Sequence, residues 1–261
     1  MSMKNFKVTI AFDGGNYGGW QIQKNSYTVQ QAVQDSLKKI LKTRHKVTGC
    51  GRTDSGVHAN NYVYNFKTES NIPENGLFRA LHITLPDDIA VLEVKEVALD
   101  FSAQFSAVAK QYIYQFSNTV SRNPFLDRYA LHYEYPMDDK LMDKAAKHFL
   151  GHHDFSAFCA SGAQNVTSDR TIFRSDVVRD GDIVRYYVAG NGFLYNMVRI
   201  MAGTLLYVSA GKLEADSIPD IIASGDRERA GKTLPPHGLY LDRVFYDTIS
   251  HEKGAGDHGG E

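Results

Sequence analysis

Phe6, Val8, Ile10 and Phe12 alternate with more polar neighbours, the period-two pattern of a strand with one buried face. The run Asp13-Gly-Gly-Asn-Tyr-Gly-Gly-Trp20 breaks it. Thr28 followed by Gln31 then marks the start of a helix whose Val29, Val33, Leu37, Ile40 and Leu41 share a face. A short strand over 45–48, an alternating run at Tyr62, Tyr64 and Phe66, a helix over 73–85 and a strand over 89–99 follow. The order is β-α-β-β-α-β, the ferredoxin-like unit. From Phe105 the pattern restarts, with strands over 105–117 and 129–135, a helix over 138–150 stopped by Gly151, and a hairpin turning at Asp180-Gly181. An apolar helical run over 192–210 stopped by Gly211, a short helix over 217–224 and a strand over 239–246 close the chain.

These signals predict an α+β fold of two ferredoxin-like halves, 1–104 and 105–247. Their antiparallel sheets are expected to join edge to edge, with helices packed on them and a central active-site cleft where the halves meet. The glycine-rich polar segment 248–261 is expected to be a disordered tail. With 261 residues, 43% hydrophobic and 23% charged, the chain has the composition of a soluble globular protein with ample core. Neither a signal peptide nor a membrane-length apolar stretch is seen, so a cytoplasmic protein without a membrane partner is expected.

A net charge of −1 argues against nucleic-acid binding by bulk charge. Local charge tells more. Lys38, Lys39, Lys42, Arg44 and Lys46, with His45 and no acid among them, form either a solvated face or a phosphate track. Cys50 and Cys159 stand far apart without Cys-x-x-Cys or Cys/His spacing, so both are expected as thiols. There is no Walker lysine motif and no Gly-x-Gly-x-x-Gly after a strand, and His152-His153-Asp154 reads as structural, so no cofactor and no metal are expected.

Gly49 to Ala59 reads Gly-Cys-Gly-Arg-Thr-Asp-Ser-Gly-Val-His-Ala, which sets Arg52, Asp54 and His58 among glycines. Such a stretch is either a reactive site or a solvated turn. Arg199 is the single charge in the apolar run 191–211. A guanidinium buried there requires a partner, since breaking a buried pair costs about 3–5 kcal/mol. Asp54 suits that role; the alternative is that Arg199 snorkels to water. Tyr112, Tyr114 and Phe116 share one strand face, as core or, for Tyr112, as a stacking platform. Asp54-Ser-Gly56 is also the triplet of aspartic proteases, but no second triplet exists, and Arg52 and Arg199 would favour a fully charged carboxylate instead of a shared proton.

Gly51-Arg-Thr-Asp-Ser-Gly-Val-His-Ala59 closely resembles the signature of the tRNA pseudouridine synthase A (TruA-type) family. The resemblance extends in order and spacing to Tyr17-Gly-Gly-Trp-Gln-Ile-Gln23, Phe105-Ser-Ala107, Lys110-Gln-Tyr-Ile-Tyr114, His153-Asp-Phe155, Phe193-Leu-Tyr-Asn-Met-Val-Arg199 and Gly238-Leu-Tyr-Leu241. It implies isomerisation of uridine to pseudouridine at nucleotides 38, 39 and 40 of the tRNA anticodon stem-loop by a homodimer that needs no cofactor. Asp54 matches the essential carboxylate, Arg199 its partner and Tyr112 the ring that stacks on the flipped uracil. Arg52, Thr53 and His58 of the signature are expected to bind substrate. Ser55, Lys110, Tyr195 and Asn196 depart from the usual residues. A non-catalytic RNA-binding protein on the same fold is the rival reading.

Overall fold

The computed structural model describes residues 2–162 and 167–247, so the segment 248–261 lies outside the described residues. The first half runs β1 (Lys4–Phe12), α1 (Val29–Leu41), β2 (Val47–Gly49), β3 (His58–Thr68), α2 (Glu74–Thr84) and β4 (Ile89–Val97). The second runs β5 (Ala109–Ser117), β6 (Leu131–His132), α3 (Asp139–Lys147), β7 (Gly151–Asp154), β8 (Asp169–Asp180), β9 (Ile183–Gly190), α4 (Met197–Ser209), α5 (Ile218–Ser224) and β10 (Leu239–Phe245).

Helix α1 begins where the sequence signal lies, with the Thr28 hydroxyl accepting from the backbone N–H of Gln31. It ends on Lys42, which turns left-handed at φ 65° and returns its N–H to Lys38. Val29, Val33 and Leu37 then face β1 and β3, and the core on that side also holds Phe6, Val8, Ile10, Tyr64, Phe66 and Leu81. A second core lies under α3 and α4, around Tyr114, Phe116, Phe149, Val184, Tyr186, Ile200, Met201 and Leu205. Each of these aliphatic side chains is fully buried, and truncating one to alanine would cost about 2–5 kcal/mol.

All ten strands form one sheet in the order β4-β1-β3-β10-β5-β9-β8-β7, with β2 added on β3 and β6 on β5. The expected α+β architecture is present, with one difference at the seam. The halves are joined by β10, which runs antiparallel to β5 but parallel to β3, where only Tyr240↔His58 and Leu241↔Ala59 pair. The sheet is therefore mixed. The expected strand over 129–135 contracts to Leu131–His132, and the strand expected from 105 begins at Ala109. Helix α4 starts at Met197 instead of 192, because Asn196 adopts a left-handed conformation at φ 59° that an α-helix cannot continue.

Candidate active site

The segment between β2 and β3 is held from three sides. Trp20 N–H donates to the Thr53 carbonyl at 3.3 Å, Gly56 N–H to the Tyr17 carbonyl at 3.3 Å, and the Ser55 hydroxyl to the same carbonyl at 3.2 Å. The glycine-rich break after β1 is thus the clamp on the aspartate loop. Gly19 has φ +85°, and a Cβ there would lie 2.3 Å from the Thr53 carbonyl oxygen, so only glycine lets the two loops approach. At the loop's start, the Tyr62 hydroxyl donates to the Gly51 carbonyl at 2.5 Å while its ring stacks on Trp20, centroids 4.1 Å apart.

Asp54 emerges from this clamp facing α4. Its Oδ2 lies 3.2 Å from Nη1 of Arg199, with the two side chains 29% and 15% exposed. The expected partnership between loop and apolar helix is what the fold builds. Two further bonds aim the guanidinium. Arg199 Nε donates to the Leu234 carbonyl at 2.7 Å, and Nη1 donates to Asn196 Oδ1 at 2.6 Å. Asn196 can reach back because it sits one turn before Arg199, at the N-cap of α4.

Tyr112, on β5, is half-buried and meets Phe193 edge-on, centroids 5.1 Å apart at 81°. Burial, reinforced by the Cys50 thiol and the Asp54 carboxylate, raises its phenol far above the usual value, so the ring presents a neutral hydroxyl. Arg52 is exposed beside Asp54. Thr53 turns its hydroxyl into the protein, where it has no hydrogen-bond partner.

His58 lies elsewhere. It is 2% exposed, accepts the Gly14 N–H at Nδ1 (3.1 Å) and donates from Nε2 to the Arg128 carbonyl (3.0 Å), and it stacks on Tyr240 at 4.9 Å. Burial pulls its pKa down, against the opposing pull of Asp13, whose Oδ1 lies 3.1 Å from Nδ1, and of the Arg128 carbonyl. Both nitrogens are spent inside the protein, and the residue expected to bind substrate instead locks β3 to the seam.

The five basic residues from Lys38 to Lys46 are all exposed, and none is in an ion pair with another described residue. Next to them, Gln23, Lys24, Tyr27, Gln31, Gln34 and Arg44 line a polar pocket of about 560 Å³, outside the Asp54 cleft. Cys50 and Cys159 are free thiols. His152, His153 and Asp154 lie on strand β7, where His153 meets the Leu150 carbonyl and His152 the Thr171 hydroxyl. Among the described residues no three His, Cys, Asp or Glu side chains are placed to share a metal ion, and no helix is long and apolar enough to cross a membrane.

The Leu234 carbonyl was not singled out from the sequence, and Asn196 and Phe193 entered only through the resemblance, Asn196 as a departure from its pattern and Phe193 as the first residue of one of its motifs, neither with a role. Asn196 had a signal, an amide carbonyl three residues before a lone arginine at a helix start. The Leu234 carbonyl is backbone and had none.

A family model described as tRNA pseudouridine synthase matches residues 8–106 and 145–247. The tRNA pseudouridine synthase A of Caldicellulosiruptor saccharolyticus is 46% identical over 244 residues, covering 94% of this chain and 100% of the relative. Proteins of the same name from Thermoanaerobacter sp. and Acetivibrio thermocellus are 44% and 46% identical with the same coverage.

Proposed function

This chain belongs to the tRNA pseudouridine synthase family, and on that premise we propose that it isomerises uridines 38, 39 and 40 in the anticodon stem-loop of tRNA, as a cytoplasmic homodimer. Family membership carries the coarser activity, pseudouridine formation in tRNA by an isomerase. The bond between uracil N1 and ribose C1′ breaks and one from C5 to C1′ forms. The C5 proton is lost and N1 gains one, so no oxidant, reductant or energy source enters the balance.

The observation that supports the reading is the Asp54–Arg199 pair at 3.2 Å beside Tyr112, across the junction of the two halves. Asp54 is the essential carboxylate, acting as a nucleophile at uracil C6 or ribose C1′, or as a base at C2′. Each role requires the charged form. Extruding the target nucleotide costs a few kcal/mol, and stacking on Tyr112 returns about 1–3 kcal/mol. The exposed basic residues Lys38 to Lys46 and Arg52 supply local positive charge that the net charge conceals.

The test is to incubate purified protein with unmodified tRNA transcript and map pseudouridine by chemical labelling, with Asp54→Asn as the comparison. Product at nucleotides 38 to 40 that vanishes in the variant is expected. Product at other positions alone refutes the site specificity, and no product refutes the activity. Sedimentation of the free protein checks the dimer.

A further inference from the structure

Lys110 lies two residues before Tyr112 on β5, so the two side chains leave the same face of the strand. The strands on either side oppose it with Gly190 and Val244, neither of which can pair with a cation. Its ammonium reaches instead toward the aspartate loop. A Cβ built on Gly51 would stand 3.0 Å from Lys110 Nζ and 3.5 Å from its Cε, so the ammonium lies against the backbone of the loop at Gly51.

Lys110 is half-buried, yet its ammonium makes no hydrogen bond or ion pair with any described residue. Other half-buried cations in this fold are satisfied. Arg199 has Asp54, Asn196 and Leu234, and Arg179 has Asp139, Asn118 and Met137. The thiol of Cys50 is no counter-ion, because burial pushes it up to about 11 and leaves it neutral. A partly desolvated ammonium at the wall of an RNA-modifying cleft therefore lacks the one thing that the substrate carries in every residue, a phosphate. Two residues along a strand span about 6.6 Å, a reach comparable to that from a base to its own backbone.

We propose that Lys110 binds the backbone phosphate next to the nucleotide that stacks on Tyr112, completing with substrate an ion pair that the free protein leaves open. This rests on the RNA-modifying reading of the Asp54 site. Arg52, exposed on the same loop, is left to other phosphates.

The test measures equilibrium binding of a stem-loop RNA, independently of turnover. The RNA is either unmodified or carries one neutral methylphosphonate, 5′ or 3′ of the target uridine. Lys110→Met should weaken binding of the unmodified RNA about tenfold, and its log K against log salt slope should be shallower by about 0.7–0.9. Lys110→Arg should keep most of the affinity. One of the two methylphosphonates should weaken wild-type binding to a similar extent and add nothing in Lys110→Met. Lys110→Gln, which removes the charge but keeps a polar side chain, should lose the same methylphosphonate sensitivity, and it keeps the test open should Lys110→Met fold poorly. Unchanged affinity and slope in Lys110→Met, or equal methylphosphonate losses in both proteins, would overturn the assignment. A wild type that binds the RNA but makes no pseudouridine would instead overturn the activity on which it rests.

Discussion

Removing the Arg199 guanidinium should cripple turnover through Asp54 while leaving the fold in place. Arg199→Leu deletes three bonds, to Asp54 Oδ2 at 3.2 Å, Asn196 Oδ1 at 2.6 Å and the Leu234 carbonyl at 2.7 Å. The loss of a fully buried ion pair would be about 3–5 kcal/mol. Here the carboxylate is 29% and the guanidinium 15% exposed, so water screens part of it. About 1–3 kcal/mol remains as the share that orients and stabilises the carboxylate, which corresponds to a rate loss of about 5- to 150-fold. Arg199→Lys should fall between, since an ammonium keeps the charge but cannot hold Asp54, Asn196 and Leu234 at once. The assay is single-turnover pseudouridine formation at saturating tRNA, with thermal unfolding run alongside to separate a weaker fold from a weaker site. If the pair acts as a unit, Asp54→Asn with Arg199→Leu should be no slower than Asp54→Asn alone. A folded Arg199→Leu enzyme within threefold of wild type would refute the reasoning, as would simple additivity in the double variant.

Tyr112→Phe should keep RNA binding because the ring remains, whereas Tyr112→Ala should lose about 1–3 kcal/mol of stacking; equal affinities for the two variants, measured by equilibrium titration, would remove the stacking role. Neutralising Lys38, Lys39, Lys42, Arg44 and Lys46 together should weaken tRNA binding and flatten its salt dependence by less than one unit of slope per charge, and an unchanged slope would return them to a solvated face. Burial holds His58 below its usual pKa near 6.5, so the unfolded chain takes that proton more readily than the folded one. Its contribution to stability is complete above about pH 6.5 and falls as the pH drops from there through the folded-state value. His237 is depressed in the same direction, so His58→Gln should flatten the acidic limb in part. Thermal melting between about pH 5.5 and 7.5 measures this, and identical limbs in both proteins would count against a titrating His58.

What could be read from the sequence was what periodicity and local chemistry encode. The alternation of Phe6 to Phe12 and the Thr28 cap mark β1 and α1 where they occur, and the lone charge of Arg199 pointed across the molecule to Asp54. Residues whose role depends on register were hidden. His58 stands in a glycine-rich reactive stretch, yet it is the first residue of β3, and strand pairing turns it toward Gly14 and Arg128. Helix α4 reads as apolar from residue 192, but nothing in hydrophobic spacing announces that Asn196 will turn left-handed and spend its amide on Arg199.

The largest omission, the course of β10, also explains how the site is assembled. Leu241 pairs with Ala59 on one side and with Tyr112 on the other. Neighbouring strands lie about 4.8 Å apart, so one residue of β10 sets the backbone of Tyr112 about 10 Å from the start of β3, five residues after Asp54. The ladder holding this spacing on the β3 side is only two residue pairs long, and side chains extend it. Asn60 donates to Asp242 Oδ1, Asn61 to the Asp242 carbonyl and, from the β5 side, Gln111 to Asp242 Oδ2. Because Asp242 takes bonds from β3 and β5 together, it ties the loop that carries the carboxylate to the strand that carries the ring. The loop of Asp54 and the strand of Tyr112 are thereby joined through a strand that belongs to neither, which is why no local pattern around either residue could reveal it.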